Sequence, residues 1–400
     1  MGKIINYLTD ENKWNQYYNF LQEKKQFKKD EIDSVKKILD DKKYVFFTFD
    51  YILELIDRSY LMVNRVPKFN SKEKRIVFTT NDTLDIILKF LTFCLRDYDY
   101  LYSDNVYSYR HSNSIQDAIS KIKNNLHEDT YTLKLDLHSY FNSMDKAKLL
   151  RCIEKSFNET DSDFVKFNEH LLYIKTNEEI HSGGLPGLAI SCFYANIYLK
   201  ELDDIIASKG FTYCRYSDDL LIMGKKDELH TFEQFLYDYI SSVGLTVNED
   251  KRHMYTPNET IEFLGFNINS STDVDISDSA FRKIKAKIHR SSKHLKEQIS
   301  QGYITRDEAI QRLINKYNKK FFSLAYGEVN WSLWYFPVIS NTTTLKKIDN
   351  YFQDEVRALY TLHYNKKNKE KVPYSLLKQY GYRTLVNAYY SPKNKEKKCS

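Results

Sequence analysis

From the start of the chain to about residue 64, apolar positions recur every three or four places between charged ones. The run "FLQEKKQFKKDEIDSVKKILDDKKYVFFTFDYILELI" is typical, and its period predicts helices with solvated charged faces. "RIVFTT" then reads as a strand, ahead of a long apolar helix, "DTLDIILKFLTFCLRDY". Between Tyr131 and Ile268 the pattern changes. "TYTLKLDLHSYF" alternates as a strand that stops at Asp136, and "GGLPGLAIS" is a glycine- and proline-rich turn opening into the helix "CFYANIYLKELDDII". "CRYSDDLLIMG" reads as two short apolar strands joined by a turn at Ser217 to Asp219; "GLTVNEDK" and "EFLGFNIN" add a turn and a strand. Strands and helices thus alternate through one compact unit. From Ser270 the pattern is mostly helical, and the tail "SPKNKEKKCS" predicts disorder.

Composition narrows the class. Four hundred residues suffice for a multi-lobed enzyme whose core needs no staples. The five cysteines (Cys94, Cys152, Cys192, Cys214 and Cys399) form no C-x-x-C pair, which argues against a zinc ribbon and suits a reducing compartment. No apolar run approaches a membrane span or a signal peptide, so the expectation is a soluble, cytoplasmic protein with no membrane partner. Net charge is only +6, so its distribution matters more than its sum. "RVPKFNSKEKR" sets five basic residues against one acid, and "FRKIKAKIHRSSKHLK" carries seven Lys or Arg and no acid. The second stretch, with Arg282, Lys283, Lys285, Lys287 and Arg290, suits a helix that tracks a nucleic-acid backbone. "VNWSLWYFPV" reads as core packing of the helical region.

Two adjacent aspartates, Asp218 and Asp219, interrupt the apolar hairpin. Side by side they repel, and burying either without a partner costs several kcal/mol or forces protonation. In isolation a solvated turn would explain them. Asp136 changes that reading, because a sheet pairing its strand with the hairpin would bring the carboxylates together. Such a group can hold two divalent ions, the clamp used for in-line phosphoryl transfer. Magnesium prefers one or two carboxylates with substrate phosphates completing its shell, so these acids suffice for two Mg2+ ions, with Mn2+ as a substitute.

In order and spacing, "LDLHSYF", "GGLPGLAISCFYANIYL", "YSDD", "LTVNEDK" and "EFLGF" resemble the motifs that run through the palm of reverse transcriptases. "KRIVFTTNDTLDIILKFL" with "VYSYRHSNSIQDAI" is similar to their fingers, so the resemblance covers about residues 70–268. It implies an α+β right-hand polymerase fold. A helical N-terminal extension would occupy 1–64, fingers 65–130, a palm of antiparallel sheet with packed helices 131–269, and a helical thumb and C-terminal region 270–400. The resemblance also implies that Asp136, Asp218 and Asp219 hold the metal ions and that Lys251 lies near the pyrophosphate as a proton donor. Phe141, five positions after Asp136, would lie under the incoming sugar and exclude a 2′-hydroxyl. Gly187, Ser191 and Asn196 would sit where the backbone approaches the nucleotide, and Gly265 in the turn gripping the primer end. Arg75 and Arg110 are candidates for gripping triphosphate or template, since guanidinium forks suit phosphate. One departure stands out: many relatives carry Gln before the second glycine and small or proline residues after it, where this chain has Pro186, Gly187, Leu188 and Ala189.

"LKKIDNYFQDEVRALY" and "YGYRTLVNAYY" resemble the helical extensions of bacterial abortive-infection and defence-associated reverse transcriptases, with retron enzymes the nearest competitor. That resemblance implies an RNA template, a noncoding partner RNA, with dNTPs as substrates, a DNA product and a role in antiphage defence; a homo-oligomer stays open. Two other readings stand beside it. An RNA-dependent RNA polymerase would show Asp or Asn in place of the ring after Asp136. A catalytically silent RNA-binding palm would gain nothing from three clustered carboxylates near phosphate.

Overall fold

In this computed structural model the described residues are all except 1–2, 24–26, 68–73, 181, 270–272, 323–329, 366 and 392–400. The tail predicted to be disordered lies outside them, apart from Ser391, as does most of the centre of the basic segment 65–75. The chain divides into two compact units, Met1–Pro257 and Asn258–Ser400.

The first unit opens with helices α1 (Lys3–Asn6), α2 (Glu11–Glu23), α3 (Lys29–Asp40) and α4 (Phe49–Arg58). Trp14 of α2 is fully buried and stacks on Phe90 at 3.9 Å between ring centroids. The helical period predicted for residues 1–64 ends at Arg58: Tyr60 and Met62 are exposed while Leu61 and Val63 are buried, the two-residue period of a strand. That strand, β1 (Tyr60–Pro67), pairs antiparallel with β2 (Lys74–Thr79), so the basic segment is carried by a hairpin.

Helix α5 (Asp82–Cys94) begins where predicted, because the Asn81 side chain accepts a hydrogen bond from the Leu84 N–H. Helix α6 (Ile115–Asn124) starts at a reciprocal Ser114–Asp117 capping box. Strand β3 (Tyr131–Asp136) leads into α7 (Tyr140–Ser143), α8 (Lys146–Phe157) and α9 (Ser162–Leu172). The short β4 (Lys175–Thr176) pairs parallel with β1 and completes a sheet of order β2-β1-β4. The helix predicted from Cys192 onward is two helices, α10 (Ser191–Ile197) and α11 (Lys200–Ser208). Leu199 leaves helical geometry at the break, and the buried Tyr198 beside it donates its hydroxyl to the Val243 carbonyl at 2.6 Å.

Strands β5 (Thr212–Tyr216) and β6 (Asp219–Gly224), helix α12 (Lys226–Ser242) and strand β7 (His253–Tyr255) finish the unit. The central sheet has the order β5-β6-β3-β7 and every neighbouring pair is antiparallel. Leu133, Leu135, Leu220, Ile222 and Tyr213 alternate onto one face and join the main hydrophobic core. The architecture is α+β, in line with the pattern of the chain.

In the second unit β8 (Ile261–Phe263), β9 (Phe266–Ile268) and β10 (Val274–Ile276) form an antiparallel meander. Its first turn holds Leu264 at φ +51° and Gly265 at φ +85°, the left-handed pair that a two-residue hairpin favours. A side chain at position 265 would also meet the Tyr335 hydroxyl at 2.8 Å. Helices α13 (Asp278–Ser300), α14 (Arg306–Phe322), α15 (Trp331–Tyr335) and α16 (Thr343–Thr361) follow. Helix α13 buries Ile284, Ile288 and Leu295 and leaves Arg282, Lys283, Lys285, Lys287 and Arg290 exposed. Among the described residues, no helix is long and apolar enough to cross a membrane.

Candidate active site

Asp136 is the last residue of β3 and stands directly opposite Asp219, the first of β6. Directly paired residues of an antiparallel sheet share a face, so the register alone turns these two carboxyls to the same side. Asp218 occupies the two-residue loop between β5 and β6, and its carbonyl accepts from the Leu137 N–H at 3.1 Å. Its neighbour Ser217 sits at φ +59°, an uncommon conformation for a non-glycine residue.

Asp136, Asp218, Asp219 and Lys251 lie together here. Lys251 Nζ lies 2.8 and 2.9 Å from the two oxygens of Asp136, and Asn248 Nδ2 donates to the same carboxylate at 3.1 Å. The Asn248 N–H also binds the Asp136 carbonyl at 2.7 Å, so one residue holds both ends of this aspartate. Burial, followed by the charge of Asp136, pushes the Asp218 carboxyl above the ordinary aspartate range. Burial and then the Asp218 charge push Asp219 to about 6, with Lys134 opposing. Burial works against a charge on Lys251, yet hydrogen bonding to Asp136 and the pull of all three acids hold its ammonium above the usual lysine range. The acids are therefore short of positive charge, and one lysine on Asp136 supplies part of it.

Beneath the hairpin lies a polar group that the sequence pattern did not single out. Arg215, fully buried, forms a two-pronged pair with Asp203, Nε to Oδ1 at 2.7 Å and one terminal nitrogen to Oδ2 at 2.6 Å. Ser108 accepts from the Ser217 N–H at 2.8 Å and donates to Asn196 Oδ1 at 3.1 Å. The signal was present: a charge inside the apolar run "CRY" must find a buried partner.

The profile of the reverse transcriptase (RNA-dependent DNA polymerase) family matches residues 66–268. The chain belongs to the reverse transcriptase family. It is also similar to a COX1/OXI3 intron 1 protein of Saccharomyces cerevisiae, at 36% identity over 86 residues, 21% of this chain and 10% of that protein. Among solved structures, telomerase from Candida albicans in complex with a TWJ fragment of telomeric RNA aligns with TM-score 0.44 and 13% identity, covering 86% of this chain and 64% of the other. Apo telomerase from Candida tropicalis aligns with TM-score 0.46 and 12% identity, covering 80% and 59%. The chain thus spans a tenth of the yeast protein and under two thirds of either telomerase chain.

Other positions suggested by the likeness to reverse transcriptases are placed as follows. Phe141 is half-buried in α7, its ring set edge-on to Tyr140 at 5.6 Å. Its carbonyl accepts from the Gly184 N–H at 2.9 Å, and the Met144 carbonyl accepts from the Gly183 N–H at 2.9 Å. Gly187 has φ +105°, and a Cβ there would stand 2.5 Å from the Phe78 carbonyl oxygen. The Phe78 N–H in turn donates to the Pro186 carbonyl at 2.6 Å. The close approach expected of Gly187 toward a nucleotide is thus an approach to strand β2. Ser191 and Asn196 are likewise buried, Ser191 donating to the Leu185 carbonyl and Asn196 to the Ser108 carbonyl at 2.8 Å.

Arg110 also differs from expectation. Its side chain is 4% exposed, and its terminal nitrogens donate to the carbonyls of Ser103 at 2.7 Å and Asp99 at 3.0 Å. It ties the loop ahead of α6 to itself, as a second donor to carbonyls that also accept the Val106 and Tyr102 N–H groups. Arg75 remains exposed on β2, opposite Val66. Gly265 and the basic residues of α13 belong to the second unit.

Proposed function

We propose that this chain is an RNA-directed DNA polymerase that joins dNTPs to a primer end. The observation that carries the reading is the register that sets Asp136 opposite Asp219 with Asp218 in the adjoining turn. Asp218 and Asp219 are both held above the ordinary aspartate range, and Lys251 is hydrogen-bonded as a cation to Asp136. Hard oxygen donors short of positive charge fit magnesium. Among the described residues no group of three or more His, Cys, Asp or Glu that could hold a metal is preassembled; magnesium takes one or two carboxylates with substrate phosphates completing its shell. Asp136 and Asp218 would hold two Mg2+ or Mn2+ ions with Asp219 as the second acid of the hairpin. Two such ions supply charge stabilisation at the attacking and leaving oxygens of an in-line displacement.

The protein's own part is positional. Asn248 and Lys251 orient Asp136 and the hairpin presents Asp218, and Phe141, five positions after Asp136, would limit the sugar. Lys251, whose ammonium lies on Asp136, would be the group available to deliver a proton to the leaving pyrophosphate. The exposed bases of α13 would bind the nucleic-acid backbone.

A finer reading is synthesis on a partner noncoding RNA in bacterial antiphage defence. It rests on the resemblance of the C-terminal helices alone. The deciding experiment is incorporation of dNTPs on a primed RNA template by wild type and Asp218→Asn. Asn keeps the shape and removes the charge, so the rate should fall by several orders of magnitude with folding and RNA binding retained. Near wild-type incorporation by the purified variant overturns the reading. Sequencing the nucleic acid that copurifies from cells tests the partner RNA, and phage plating with Asp136→Asn tests the defence role.

A further inference from the structure

Buried ion pairs are often replaceable by apolar groups without loss of stability, so a fully satisfied one asks what else it holds. Arg215 commits all five of its N–H groups. Besides the two bonds to Asp203, one terminal nitrogen donates to the carbonyls of Ala195 and Ser217, each at 3.2 Å, and the other to the Asn196 carbonyl at 3.3 Å. Asp203 is braced in turn by the Tyr213 hydroxyl at 2.9 Å, and the Ala195 carbonyl also accepts from the Tyr140 hydroxyl at 2.6 Å. The main chain is pinned too: the Arg215 N–H donates to the Asn105 carbonyl at 2.8 Å and its carbonyl accepts from the Tyr107 N–H at 2.9 Å. One guanidinium therefore joins the end of α10, the start of α11 and the loop that carries Asp218.

We propose that Arg215, locked by Asp203, is a positioning residue that fixes the Ser217–Asp218 loop and so sets where the hairpin acids stand relative to Asp136. Only its activity arm rests on the polymerase reading above. The test uses the full chain with Arg215→Met and Asp203→Leu combined, which removes both buried charges together and spares the core an unpaired one. Arg215→Lys, which keeps charge without the fork, is the second variant. Amide hydrogen exchange is read at Leu137 and Ser217, whose N–H groups bind the Asp218 carbonyl and Ser108 Oγ.

In the folded double variant, exchange at these two amides should accelerate at least about tenfold against the rest of the sheet, because the Ser217 carbonyl, in the peptide that joins Ser217 to Asp218, is no longer held by the guanidinium. Turnover should fall roughly 100-fold with KM for dNTP changed by less than about twofold, the split expected when a reacting geometry shifts and binding does not. Arg215→Lys should lie between the two, and it decides the matter if the double variant does not fold. A folded variant with wild-type exchange at both amides overturns the proposal, as does wild-type turnover. If wild type itself incorporates nothing, the polymerase reading fails while the exchange arm still decides the positioning role.

Discussion

Replacing Asp219 with Asn should stabilise the metal-free protein near neutral pH and leave it unchanged in acid. The carboxyl sits at about 6 in the folded chain against 3.8 for a free aspartate, through burial and the neighbouring Asp218 charge. A raised value means that the folded state binds the proton more tightly than the unfolded state. Below about pH 3.8 both states are protonated and the residue adds nothing to the pH dependence; above about 6 the folded state carries a charge it disfavours. A difference of about 2 pH units corresponds to roughly 3 kcal/mol at neutral pH, and solvent reaching this partly exposed group lowers that to about 1–2. Asn keeps the shape without the charge, so it should recover that amount, a rise in Tm of roughly 2–8 °C for a unit of this size. The assay is thermal unfolding of wild type and Asp219→Asn at about pH 8 and about pH 4, without and then with millimolar Mg2+. The gain should be full at the higher pH, small at the lower, and reduced by Mg2+, which favours the charged form. A gain of equal size at both pH values, or none at the higher, refutes the electrostatic reasoning.

Phe141→Ala should keep measurable incorporation of dCTP and gain incorporation of CTP on one primed RNA template; a loss of roughly 1–3 kcal/mol in stability with no change in sugar preference would assign the ring to packing instead. Neutralising Arg282, Lys283, Lys285 and Lys287 together should weaken duplex binding alike on all sequences and flatten the slope of log affinity against log salt by about one unit per lost phosphate contact. An unchanged slope would mean that α13 faces something other than nucleic acid. Gly187→Ala should cost about 2–4 kcal/mol by thermal unfolding, because the residue must adopt a left-handed conformation and its methyl meets the Phe78 carbonyl.

The acids were legible because one aspartate ends an alternating strand and two sit at the turn of an apolar hairpin, so pairing those strands brings carboxylates together; that Asp219 is the one directly opposite Asp136 came from the register. Lys251 was legible through its motif, and its hold on Asp136 was not, since no local period links residues so far apart. Tyr60–Pro67 escaped because a short alternation follows directly on a long helical period. For Arg110 the chemistry of guanidinium and phosphate was sound, yet the folded turn before α6 offers it the carbonyls of Ser103 and Asp99 and buries it there, a tertiary arrangement that no local pattern announces. Gly187 shows the reverse: the need for glycine could be read, while its neighbour proved to be strand β2. Arg215 and Asp203 were missed because pairing a strand residue with one of two adjacent helix acids, Asp203 or Asp204, requires knowing which face α11 turns inward.

The segment from Gly183 to Gly187 touches α7 through Met144 and Phe141 at one end and β2 through Phe78 at the other, backbone against backbone. Added side chains at Gly183 and Gly184 would stand 2.6 and 2.5 Å from the carbonyl oxygens of Met144 and Phe141. The segment is a shim of fixed thickness, since peptide groups in contact cannot be trimmed or padded by changing residues. The spacing between the hairpin strand and the helix that carries Phe141 is therefore withdrawn from mutational adjustment. Under the proposed role of Phe141 as the sugar filter, selection for a different nucleotide would act on that ring and not on the spacing beneath it.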